Sequence, residues 1–135
     1  MRTLVLLAST ALLAATAHAD TQRWNYKSYP RDKLSGQYLK DKFMLATVEV
    51  EEQDGQARFL MTTPGRGDPC ISNVRLPAEI EREDGVLVLT VKPTLAGCEP
   101  FRYRIRTDGS GGVRQHLRDG TWRSDGLDHD LTPKP

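Results

Sequence analysis

The chain has 135 residues, of which 38% are hydrophobic, enough for one domain built on one core and too few for a second. Nineteen basic residues face 18 acidic ones, and this near-neutral balance excludes the dense basic field of proteins that bind by neutralising phosphates, so nucleic acid is not an expected partner. Two cysteines are too few for a disulfide-dense scaffold and suit a single structural bond.

Residues 1–19 carry one charge at Arg2, an apolar run from Leu4 to Ala17, and Ala17-His18-Ala19 immediately before Asp20. That order of a charged start, an apolar stretch and a small-x-small site predicts a secretory signal peptide cleaved after Ala19. The run is shorter than the roughly 20 residues a membrane-spanning helix needs, and no later segment is as apolar. An exported, soluble protein is expected, periplasmic or extracellular, with no membrane span and, because Asp20 rather than cysteine follows the site, no lipid handle. Without Arg2 the basic count falls to 18 and the mature chain is formally neutral.

Residues 20–34 are mostly polar with three aromatics, Trp24, Tyr26 and Tyr29, and read as an extended N-terminal arm whose rings dock on the domain. The β domain itself is expected over residues 35–123. Gly36 to Lys40 is a short strand candidate. Phe43 to Glu51 alternates Met44, Ala46, Val48 and Val50 against polar residues, turns at Asp54-Gly55 and returns through Ala57 to Thr62 as a hairpin. A Pro/Gly loop holding Arg66-Gly67-Asp68 leads to Cys70. That tripeptide resembles the integrin-binding loops of adhesive proteins, but Gly and Asp are also what a plain turn requires, and a turn is the reading adopted. Ile71 to Leu76 is a strand candidate; Glu79, Glu81 and Glu83 form an acidic edge or open a short helix; Asp84-Gly85 turns the chain into Val86 to Lys92, its most β-like run. Asp119-Gly120 turns it again, Thr121 to Arg123 closes the sheet, and residues 124–135 read as a flexible C-terminal tail. Strands every eight to twelve residues with turn signals between them predict an all-β fold, a small antiparallel β-barrel or β-sandwich built as a meander of hairpins.

The central hairpin holds most of the chemistry. Phe101, Tyr103 and Ile105 alternate with Arg102, Arg104 and Arg106, and after the Gly-rich break at residues 107–112, Val113, Gln115 and Leu117 alternate with Arg114, His116 and Arg118. A three-residue loop at Asp108-Gly109-Ser110 would pair Phe101 with Leu117 and Ile105 with Val113 on the core side. It would place Arg102, Arg104, Arg106, Arg114 and His116 together on one outer face. Like charges across a ladder need a counter-charge, supplied by the acidic strands or by an anionic partner.

Cys70 and Cys98 are expected to form a disulfide worth about 3.5 kcal/mol in the chain-entropy model; their spacing matches neither zinc ligation nor a Cys-x-x-Cys redox pair. Asp125, Asp128, His129 and Asp130 offer metal-ligand types on a tail with nothing to make them converge, so no metal and no cofactor are expected. Asp108-Gly109-Ser110-Gly111-Gly112 lacks the order and the partners of a serine-protease nucleophile loop. No catalytic constellation emerges. The expected function is therefore an exported, non-enzymatic binding module, inhibitor-like or immunity-like, that docks a protein or anionic macromolecule through the basic hairpin face. The alternative is a small-ligand-binding barrel whose mouth is lined by Tyr103, Trp122 and Trp24.

Overall fold

The computed structural model describes residues 20–30 and 32–135, and the predicted signal peptide lies outside them. Eight strands follow one another around a closed barrel: β1 (Asp20–Ser28), β2 (Met44–Gln53), β3 (Gln56–Thr62), β4 (Arg75–Glu83), β5 (Val86–Val91), β6 (Phe101–Arg106), β7 (Gly112–Arg118) and β8 (Thr121–Pro133). Each strand pairs antiparallel with the next, and β8 returns to pair with β1. The fold is the barrel, not the sandwich, because the first and last strands close on each other and leave no edge unpaired.

Closure corrects both predicted ends. Residues 20–28 are not an arm but β1, hydrogen-bonded along their whole length to β2, with Trp24 and Tyr26 turned into the core. Residues 124–133 are not a tail but most of β8, which places Leu131 in the core opposite Tyr26. Their sparse apolar residues suffice because a strand that buries one face needs only alternate inward side chains. The predicted Gly36–Lys40 strand lies instead in the β1–β2 loop, where the Asp32 carboxylate accepts from the Leu34 and Ser35 amides at 2.8 Å and turns the chain. The helical option for Glu79–Glu83 fails, since Ile80 pairs with Leu89 within the β4–β5 ladder.

The two ends of the barrel differ. At one, tight turns join β2 to β3, β4 to β5 and β6 to β7; Asp54-Gly55 has both residues at positive φ, as a two-residue hairpin turn demands. At the other lie the longer β1–β2, β3–β4 and β5–β6 loops and the short β7–β8 turn. The Cys70–Cys98 disulfide ties the β3–β4 loop to the β5–β6 loop across 5.7 Å between Cα atoms, so the loop end is braced.

The core is aromatic at its centre. Tyr103 is fully buried, edge-on to Phe101 and Tyr26 and stacked with Phe59. Inward side chains of β2 to β6, among them Val48, Phe59, Leu76, Leu89 and Ile105, pack around it.

The β6–β7 register is one residue from the expected one. Phe101 pairs with His116, Tyr103 with Arg114 and Ile105 with Gly112. Directly paired residues project to the same face, and a slip of one reverses every side chain of the strand. Val113, Gln115 and Leu117 therefore face outward, and Arg114 and His116 face the barrel interior. The loop is longer than three residues because Arg106 N–H bonds to the Gly111 carbonyl at 2.8 Å. Within the turn the Asp108 carboxylate accepts from the Ser110 amide and hydroxyl at 2.9 and 2.5 Å, and Arg106 donates to Ser110. Gly112 fits the inward position opposite Ile105, where a Cβ would stand 2.6 Å from the Arg104 carbonyl oxygen.

Candidate binding site at the loop end

The outer face of the hairpin carries Arg102, Arg104 and Arg106, and each is engaged within the protein. Arg104 bridges to Glu83 at 2.5 Å, and Arg106 to Asp128 at 2.7 Å. Arg102 donates to the Thr90 hydroxyl at 3.0 Å and lies over the Trp122 ring at 4.2 Å. Elsewhere on the outside, Arg23 and Arg75 meet Glu49, Arg82 meets Glu52, and Lys92 meets Glu79. The Glu52 carboxyl is held below its ordinary range by the hydrogen bond from Arg82. The expected single basic face of five residues is thus split. Three arginines lie outside beside their own acceptors, and Arg114 and His116 lie inside.

The inner row is a different environment. The Arg114 guanidinium sits over the rings of Phe101 and Tyr103, 5.0 and 5.6 Å from their centroids, in a cation–π arrangement. Among the described residues, its buried Nε and the buried Tyr103 hydroxyl have no hydrogen-bond partner. Two residues on, His116 pairs with Arg123 of β8, and Arg118 follows at the strand end. These side chains, with Tyr38 from the β1–β2 loop, Ser124 and Asp125, line a depression of about 450 Å³ at the mouth of the loop end. Burial, and then the neighbouring charges of Arg114 and Arg118, hold the His116 imidazole below its usual pKa. Arg118 and Arg123 are exposed, and neither has an acidic partner among the described residues. Both escaped the sequence reading, which had Arg118 on an outer face and Arg123 as a sheet-closing residue. The correct parity of β7 would have placed Arg118, and the β7–β8 register is needed as well to bring Arg123 opposite His116.

Opposite this row, β8 leaves regular pairing: Val113 matches Asp128 and Gln115 matches Ser124, so residues 125–127 bulge against Arg114, with Gly126 at a φ of 76°. The bulge brings Asp125 to His129, whose Nε2 lies 2.7 Å from the carboxylate, while Nδ1 lies 3.0 Å from the Tyr26 hydroxyl. A carboxylate only accepts, so in the neutral ring Nε2 carries the proton and Nδ1 accepts from Tyr26. Although Asp, His and Tyr stand in a relay order, Tyr26 is 2% and His129 5% exposed, and the chain of bonds joins β8 to β1 inside packed protein. The remaining tail carboxylates diverge: Asp128 goes to Arg106 and Asp130 to the Tyr29 hydroxyl at 2.9 Å. Among the described residues no cluster of three or more His, Cys, Asp or Glu is placed to share a metal ion.

The three rings expected to line a mouth are dispersed. Tyr103 is enclosed at the centre of the core, and Trp122 lies on the outside under Arg102. Trp24 borders a cleft of about 580 Å³ at the turn end, with Leu87, Ile105 and the Arg82 and Arg106 side chains. In the Arg66-Gly67-Asp68 segment the Asp68 carboxylate accepts from the Cys70 amide at 2.9 Å, which uses it as a local turn residue.

The loop end also carries the exposed apolar residues. Leu34 is 100% and Leu45 57% exposed, and Phe43, Met44, Val74 and Leu95 complete the set among the described residues. All six lie in the β1–β2, β3–β4 or β5–β6 loops or on the first two residues of β2. Lys27 lies over the Phe43 ring at 4.9 Å. No family model matches the chain, and no curated protein or solved structure shows significant similarity to it.

Proposed function

We propose that the chain is an exported, non-enzymatic binding module that docks a protein partner with the loop end of its barrel. The observation that carries this reading is the segregation of large exposed apolar side chains to one braced end, since clustered apolar exposure marks interaction surfaces while isolated instances do not. The outer hairpin arginines, each already engaged internally, become part of the scaffold rather than the contact. A rigid barrel presenting loops tied by a disulfide loses little freedom on binding, which favours affinity.

The test is capture of the partner from the exporting cell's envelope and medium with the mature domain, followed by lysine cross-linking to locate the contact. Cross-links at Lys33, Lys40 and Lys42, and loss of capture in a Leu34→Ser/Phe43→Ser/Leu95→Ser variant that retains its fold, are the expected results. A partner held equally by that variant, but released by Arg102→Glu with Arg104→Glu, would return the contact to the outer hairpin face.

A further inference from the structure

We propose that the mouth of the loop end is an oxyanion-binding site, in which Arg118, Arg123 and His116 receive a carboxylate, sulfate or phosphate group. Two features meet there. The depression of about 450 Å³ is large enough for such a group and its immediate substituents. Arg118 and Arg123 reach it from paired strands without an acidic partner among the described residues, although six other basic side chains on the barrel wall have found one. Guanidinium groups without a carboxylate of their own bind oxyanions through charge-assisted, often bidentate hydrogen bonds.

The row Arg114, His116, Arg118 also has a direction. It runs along the inner face of β7 from the aromatic core to solvent. Asp125 is the one carboxylate in the lining, and it already contacts His129 at 2.7 Å. The charged and titratable groups around His116 are Arg114 and Arg118 from its own strand, Arg123 and Asp125 from β8, Glu99 from the β5–β6 loop, and Tyr38 from the β1–β2 loop. An anion entering among them would stabilise the imidazolium.

The same oxyanion chemistry is offered by a free small anion and by an acidic side chain of a docked protein, and the test separates the two. Sodium sulfate and, in a second arm, sodium acetate are titrated into the mature domain without partner. The His116 ring and the arginine Nε–H groups are followed by NMR, with sodium chloride at matched ionic strength as the control. Saturable shifts at His116, Arg118 and Arg123, with a rise in the His116 pKa, are expected. Binding should weaken at least about tenfold in an Arg118→Gln/Arg123→Gln variant, since each charge-assisted hydrogen bond contributes about that factor or more. Tighter sulfate binding assigns the site to free tetrahedral oxyanions, and tighter acetate binding to a carboxylate presented by a partner. Shifts that stay linear, match the chloride control or persist in the double variant mean an adventitious ion only and overturn the proposal. Because no partner is present, this outcome is independent of whether the apolar loops dock a protein.

Discussion

Tyr103 has no hydrogen-bond partner among the described residues for its buried hydroxyl, and the group is expected to make stability fall at alkaline pH. Burial is the main reason its pKa is raised far above the ordinary value of 10.0. The folded protein keeps the phenolic proton at pH values where the unfolded chain has released it. Stability contributed by this group is therefore full below about pH 10 and declines as pH rises further. Tyr103→Phe should cost little at neutral pH, because the hydroxyl has no hydrogen-bond partner among the described residues, and should flatten the alkaline loss of stability expected in urea titrations between pH 9 and pH 11, a window set around the ordinary tyrosine pKa. An identical alkaline limb in both proteins would contradict the assignment. Gly112 acts by steric exclusion alone. Gly112→Ala puts a Cβ 2.6 Å from the Arg104 carbonyl oxygen and should destabilise by about 1–3 kcal/mol in equilibrium denaturation.

At the scale of strands, the legible features were those that a local pattern determines. Alternation of Met44, Ala46, Val48 and Val50 located β2, and the Asp-Gly pairs located three hairpin turns. Trp24 and Tyr26 were visible as rings seeking a core, but their place in a closing strand depended on β8, a partner more than a hundred residues away. The candidate site was half legible. His116 and Arg114 were singled out for their charge, yet the side to which they point rested on a turn length, which the Arg106 N–H to Gly111 carbonyl bond and the Ser110 contacts with Asp108 and Arg106 fix and no local residue pattern announces. Two predictions belong here. Exchanging the outer pair as Arg104→Glu with Glu83→Arg should restore the small loss, about 0–1 kcal/mol, that either single reversal produces, because the pair is partly exposed and screened. Replacing Cys70 and Cys98 with Ala should lower stability by about 3.5 kcal/mol, with the loss confined to the oxidised reference state. Equal stability of the oxidised wild type and the double variant would show that the bond constrains nothing.

As a whole molecule the barrel has two unlike ends and a wall that pairs its own charges. The turn end carries tight hairpins, while the loop end gathers the disulfide, the six exposed apolar side chains and the cationic mouth. Docking at such an end would combine apolar contact around the rim with an acidic group at the centre, so association should slow as salt rises while the apolar contribution persists. The cationic mouth proposed for that end depends on which way the side chains of β7 point. The most direct measurement is the set of nuclear Overhauser contacts of the Arg114 side chain in the native protein. Contacts to the ring protons of Phe101 and Tyr103, with ring-current shifts of the Arg114 Hδ resonances, are predicted by its position over those rings at 5.0 and 5.6 Å. Contacts of the Arg114 side chain to Arg104 or Val88 on the outer wall, with Val113 and Leu117 meeting the aromatic core, would show the opposite register and contradict the account.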